Sequence, residues 1–175
     1  MIESAQLRLR AWREDDIATL HLLRNDVALQ AQLLARVRGS DAAQVRQWLQ
    51  LRSSAPDSLL WVIAAREGDI ALGYVQVTGL DAIDRRAELG ICLAPASQGR
   101  GHGRAAIAAL LPYLRRTWGL RKLSLRVRAD NAPALRCYAS LGFQPCGRLR
   151  EHVFIDDAWH DLVLMEVFLE TACPA

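Results

Sequence analysis

Three glycines fall within five positions of the segment "SQGRGHGRAAIAALL" at residues 97–111, and alanine and leucine follow at once. Glycine costs backbone entropy on folding, so a glycine-rich loop that opens directly onto a helix implies a demand on the backbone. A strand, a loop rich in N–H groups and a helix N-terminus together bind anions, because the amides point outward and the helix dipole adds partial positive charge. Gly99, Gly101 and Gly103 let the backbone approach phosphate oxygens without Cβ interference, and Arg100 and Arg104 can add charge-assisted hydrogen bonds. Two common phosphate motifs fail here. A P-loop requires G-x-x-x-x-G-K-[ST], and no Lys-Ser/Thr follows the glycines. A dinucleotide fingerprint requires G-x-G-x-x-G and an acid about 20 residues further on. In this chain the third glycine comes one position early, Arg104 stands where it should be, and no acid occurs before Asp130. The bland alternative is a turn that merely starts a helix, but Ser or Asp serves that purpose better than glycine.

A third pattern fits. Gln98-Gly99-Arg100-Gly101-His102-Gly103 resembles the Q/R-x-x-G-x-G/A pyrophosphate loop of the GNAT superfamily of acyl-CoA-dependent N-acetyltransferases, and "GICLAP" supplies the strand before it. "ADNAPALRCYASLGF" resembles that family's second motif, N-x-x-A-x-x-x-Y-x-x-x-G-F. The resemblance runs from the opening "LRLRAWREDD" to the ending "DDAWHDLVLMEVFL", and both ends look like the RimJ/RimL-type branch, which includes acetyltransferases of protein N-termini and amino sugars. It implies an α/β (α+β) fold in one GNAT-type domain, residues 1–175, with a mostly antiparallel mixed sheet splayed at the cofactor and helices on both faces. It implies acetyl-CoA as cosubstrate and no metal. The loop from Gln98 through His102 to Arg104 would take the pyrophosphate, and the backbone of Ile91, Cys92 and Leu93 would hold the pantetheine as an added pseudo-strand. One amide, of Cys92 or Leu93, would face the thioester oxygen. Asn131 would sit near the pantetheine arm, and Tyr138 beside the sulfur as general acid. For Tyr138 a place in the core, and for Asn131 a helix cap, are the structural alternatives.

Acetyl transfer to an amine also needs a route for a proton, since an alkyl ammonium titrates near ~10. Some relatives carry a glutamate five residues before the motif asparagine; this chain has Arg126 there, which cannot accept a proton. Glu88 shares a strand face with Cys92 and is the candidate base, direct or through water, or else an ion-pair partner of Arg85, Arg86 or another neighbour. His160 and Asp161 are further alternatives. The acceptor is an amine-bearing small molecule or a protein N-terminus; "HLLRND" faintly resembles an Arg-Asn of nucleotide-sugar acetyltransferases, and Asp156, Asp157, Trp159 and Asp161 form either a cation-attracting ending or a solvated hairpin tip. A non-catalytic acyl-CoA-binding or sensor domain is the alternative function. An RNA-binding module, suggested by Arg121, Lys122, Arg126 and Arg128, lacks interleaved aromatics and is set aside.

Those residues need elements to hold them. "QLRLRAW" alternates as a half-buried strand, and "REDDIATLHLLRN" follows at helical spacing with acids in its first turn. Two more helices are expected, one carrying Val27, Ala31 and Leu34, the other Val45, Trp48 and Leu49 after Ser40-Asp41. "SLLWVIAAREGDIALGYVQV" reads as two strands around "REGD", and "RAELGICLA" as a strand ending at Pro95. Beyond the loop helix, which Pro112 should kink, come a strand at 122–129, a short helix from Asn131 to Gly142, and the strands "REHVFI" and "HDLVLMEVFLE" around "DDAW". With 175 residues, 51% hydrophobic and 23% charged, the chain can bury a core without staples. A net charge of +3 suits an anionic ligand without implying nucleic acid, and no segment resembles a membrane span or a signal peptide. Cys92, Cys137, Cys146 and Cys173 show neither zinc nor disulfide spacing, so a reducing cytoplasm is expected. A monomer or homodimer is the expected state.

Overall fold

The computed structural model describes residues 1–169; Cys173 and the expected strand's last residue, Glu170, lie outside the described residues. Two short strands, β1 (Ile2–Glu3) and β2 (Leu7–Arg10), lead through a 3-10 turn at Glu14–Asp16 into α1 (Ile17–Asn25), α2 (Val27–Gln32) and α3 (Ala42–Ser54). Then come β3 (Ser58–Ala65), β4 (Ala71–Asp81), β5 (Arg86–Leu93), α4 (His102–Trp118), β6 (Lys122–Arg128), α5 (Ala132–Ala139), β7 (Gln144–Ile155) and β8 (Ala158–Phe168). All strands join one eight-stranded sheet in the order β1-β2-β3-β4-β5-β6-β8-β7. Every neighbouring pair is antiparallel except β5 and β6. A parallel pair needs a crossover, and α4 with the loop before it provides one.

Strand alternation sorts the side chains to two faces. Ile63, Val75, Val77 and Leu89 pack with Ile107, Leu110 and Leu114 of α4 on one side. Leu60, Val62, Tyr74 and Cys92 pack with Leu20, Leu23, Val45 and Leu49 of α1 and α3 on the other. The expected stripe on α2 is different: Val27 is exposed and Leu29 is the buried anchor, because Asp26 caps the helix and sets its phase. α4 runs on through Pro112, which lies with Ala108 on the exposed face, so the carbonyl deprived of a partner there meets water. β7 begins at Gln144, six residues before the expected strand. Pro145 and Gly147 would disfavour an interior strand, but β7 is an edge and carries a bulge between them.

The feature that matters for the site is where β5 and β6 part. Their pairing stops at Glu88↔Ser124, while β5 continues to Leu93 and β6 to Arg128. Beyond Glu88, one edge of β5 has no strand beside it among the described residues. The sheet is open there.

Candidate active site

The opening between β5 and β6 is the floor of a cleft of about 760 Å³. Of the expected site residues, Glu88, Ile91, Cys92, Leu93, Gln98, Gly99, Gly101, His102, Gly103, Arg104, Asn131 and Tyr138 all line it. Arg100 does not line it and is exposed.

The glycines divide by role. Gly99 and Gly101 have φ of +70° and +80°, and a Cβ on either would meet nothing within 4 Å. Backbone conformation, not crowding, therefore selects glycine at both positions. Gly101 is the residue before α4 and supplies no side-chain cap, so the first N–H groups of the helix stay free to face a ligand. Gly103 is already helical, and a Cβ there would touch Leu93 Cδ1 at 3.4 Å and Ile91 Cδ1 at 3.8 Å. Its lack of a side chain lets α4 pack close to β5, while its N–H stays in the first turn of the helix beside the loop amides. The Gln98 side chain donates to the Leu93 carbonyl at 3.0 Å, tying the loop to the end of β5. His102 Nδ1 lies 3.2 Å from the Ser97 carbonyl. Arg104 and Arg136 add positive charge along the cleft. Free amides, a helix N-terminus and two guanidinium groups form a donor set suited to a pyrophosphate.

Asn131 caps α5, its Oδ1 accepting from Ala134 N–H at 3.2 Å, and still lines the cleft. Tyr138 packs on Phe143 with ring centroids 5.8 Å apart, and burial pushes its hydroxyl up to about 12. At neutral pH it is a proton donor. The thiol of Cys92 points into the core under α1 and α3, and burial pushes it up to about 12 as well. Burial also raises the Cys137 thiol.

Glu88 stands where the strands separate. Arg126 Nε donates to its Oε1 at 2.9 Å, with the two side chains 50% and 41% exposed respectively. The neighbour that holds Glu88 is thus the arginine that replaces the relatives' strand carboxylate, not Arg85 or Arg86. Half-exposed, this pair costs little to open when a substrate enters. His160 and Asp161 are committed elsewhere: His160 faces Asp130 and the Ile155 carbonyl, and Asp161 holds Arg148 and the Glu151 N–H. Neither lines the cleft.

The acceptor half of the cleft was not legible from motifs. Gln32 at the end of α2 with Leu33 and Leu34 after it, Arg52 of α3, Gln76 and Thr78 of β4, and His152 and Val153 of β7 meet there. They come from four separate regions of the chain, and only the "HLLRND" segment of α1 hinted at that side.

A sheet opened at one point, an anion cradle at one end and a half-buried proton donor beside it define an acyltransferase that draws its acyl group from a CoA thioester. Residues 6–144 match the acetyltransferase (GNAT) domain. The chain belongs to the GNAT family, and it is an acetyl-CoA-dependent N-acetyltransferase acting on a primary amine. It is 27% identical over 165 residues to spermidine N(1)-acetyltransferase of Vibrio cholerae, covering 94% of each chain. It is 31% identical over 96 residues to the corresponding Escherichia coli K12 enzyme, spanning 52% of that protein. The fold superimposes on the Vibrio cholerae spermidine N-acetyltransferase solved with CoA and spermine, with a TM-score of 0.87 and 25% identity over 95% of this chain and 97% of that one. Among the described residues no group of His, Cys, Asp and Glu could hold a metal ion, and no helix is long and apolar enough to cross a membrane.

Proposed function

We propose that this chain acetylates the primary amine of a small soluble molecule in the cytoplasm, with residues 1–175 working as one domain and as a monomer or homodimer. The observation that carries this is the cleft: about 760 Å³ must hold both the pantetheine arm and the acceptor, between walls from α2 and β7. That volume suits a small molecule. The two ends of the chain resemble the RimJ/RimL-type branch, so a protein N-terminus is the competing acceptor. The full-length relative reported above is named for spermidine, a small amine, which supports the first reading.

Acetyl-CoA supplies the activated thioester carbonyl. The loop amides of Gly99 to Gly103, with Arg104, hold its pyrophosphate, and the free edge of β5 at Ile91–Leu93 aligns the arm and offers an amide to the carbonyl oxygen. The neutral amine attacks the carbonyl carbon directly, the C–S bond breaks, and the Tyr138 hydroxyl gives its proton to the departing sulfur. The amine's proton leaves to Glu88 once Arg126 releases it, or through water. Direct attack is favoured because burial raises both the Cys92 and the Cys137 thiol, which disfavours the thiolate that an acyl-cysteine route would need. The test is release of CoA thiol, with mass analysis of the product, over a panel of small amines and N-terminal peptides. Turnover with peptides alone would overturn the small-molecule reading. CoA binding without turnover on any amine would favour the sensor-domain alternative.

A further inference from the structure

A side pocket of about 200 Å³ adjoins the acceptor half of the cleft and shares Leu33, Arg52, Gln76, Gly90 and Ile91 with it. Its remaining wall is a stack. The Arg24 guanidinium lies 4.3 Å from the Trp48 ring centroid, and Trp48 meets Tyr74 edge-on at 5.2 Å. The Trp48 face thus fixes the Arg24 plane. Nε of Arg24 is buried, with no hydrogen-bond partner among the described residues. The same is true of Oε1 of Gln76 across the pocket. A buried donor without a partner costs its full desolvation, so such groups persist where something else satisfies them. Both Arg24 and Arg52 lie in the last turns of their helices, where the dipole favours cations. The dipole accounts for positive charge at those positions, but not for a buried Nε turned away from any acceptor.

The charge around the acceptor points the same way. Among the described residues no carboxylate lines the side pocket, and Glu88, the one carboxylate among them that lines the main cleft, is held by Arg126. Two guanidinium groups with no carboxylate beside them in the lining repel a polyamine and attract an oxyanion.

We propose that the acceptor is an amine that also carries an oxyanion, a carboxylate or a phosphate, held in the side pocket by Arg24 and Arg52. This rests on the small-amine reading above and departs from the polyamine for which the full-length relative is named. Arg24 meets the anion through the edge of a guanidinium whose face Trp48 already occupies, a geometry a lysine would not reproduce. Gln76 then finds its partner in the ligand's own N–H.

The experiment uses acetyl-CoA and matched pairs of amines: L-alanine, β-alanine and 4-aminobutyrate against their carboxamides, O-phosphoethanolamine against ethanolamine, and spermidine alone. At least one anionic member should exceed its neutral partner and spermidine by about tenfold or more in kcat/KM. The carboxylate and phosphate arms identify the anion. In Arg24→Gln and Arg52→Gln that preference should shrink to about twofold or less, through KM rather than kcat. The ratio of two substrates within one variant does not depend on how much of it is folded, so a destabilised variant still answers. Spermidine or the neutral amines preferred, or a preference surviving both substitutions, overturns the proposal and leaves the small-amine reading standing. No turnover on any amine overturns that reading too.

Discussion

Tyr138 illustrates how a single residue serves both packing and chemistry. Its ring fills space against Phe143, and the burial this entails keeps its proton in place. Tyr138→Phe should preserve the packing and CoA affinity while turnover drops ~10²-fold, measured by CoA release under saturating cofactor. The pH profile follows with its sign. A proton donor whose pKa is raised to about 12 stays protonated above the usual tyrosine range, so kcat/KM should climb as the amine deprotonates near ~10, with no falling limb before that value. A decline already below pH 10 would mean that the Tyr138 hydroxyl is not raised by its burial, and loss of that limb in Tyr138→Phe would assign it to this residue. Glu88 is a weaker case because Arg126 occupies it. Glu88→Gln should lower kcat/KM at neutral pH and recover part of it in alkali, where free amine is abundant. An equal loss at every pH would assign Glu88 to positioning instead.

At the scale of the element, the junction between β5 and α4 carries the function. The strand must end without a partner, the loop must turn twice through positive φ, and the helix must begin without a side-chain cap. Gly101→Glu breaks the last two conditions together: it strains the backbone at φ +80° and puts a carboxylate where the anion belongs. Calorimetry should show CoA affinity reduced by about a hundredfold or more, since a like charge replaces open space. Gly103→Ala is the contrasting case, because its added methyl meets Leu93 at ordinary contact distance in a helical backbone, where alanine is also preferred.

Across the whole molecule, the two cores pack on opposite faces of the sheet, and an ion cluster locks β2 to the turn before α1 and to the β3–β4 turn. Arg10 donates to both carboxylate oxygens of Asp16 at 2.7 and 2.9 Å and to Asp69 at 3.0 Å, with Arg10 and Asp16 side chains 5% and 4% exposed. Asp16 also accepts the Arg13 N–H at 2.7 Å, which starts the helical layer over the acceptor side. Asp16→Ala leaves a buried guanidinium short of its main partner, at a cost of ~3–5 kcal/mol, and should lower Tm by roughly 10 °C by calorimetry. A change of only about a degree would mean that Asp69 and water suffice.

The cofactor half of this site was legible in the chain because its residues are close in sequence and their types are dictated locally. Positive φ selects Gly99 and Gly101, an Asx cap selects Asn131, and the spacing on α5 brings Tyr138 to the same cleft. Alternation and turn chemistry likewise pointed to most strands, apart from the two-residue β1, too short to alternate, and the early start of β7 with its Pro145. Only the folded chain decided the rest. The parting of β5 and β6 after Glu88, the capture of Glu88 by Arg126 on another strand, and the meeting of Arg24, Arg52 and Gln76 all join residues distant in sequence. Helical and strand periodicity fix which face a residue occupies, but not which residue of another element it will face across a cleft. That depends on sheet order and on how two cores pack against it, and no local pattern encodes either.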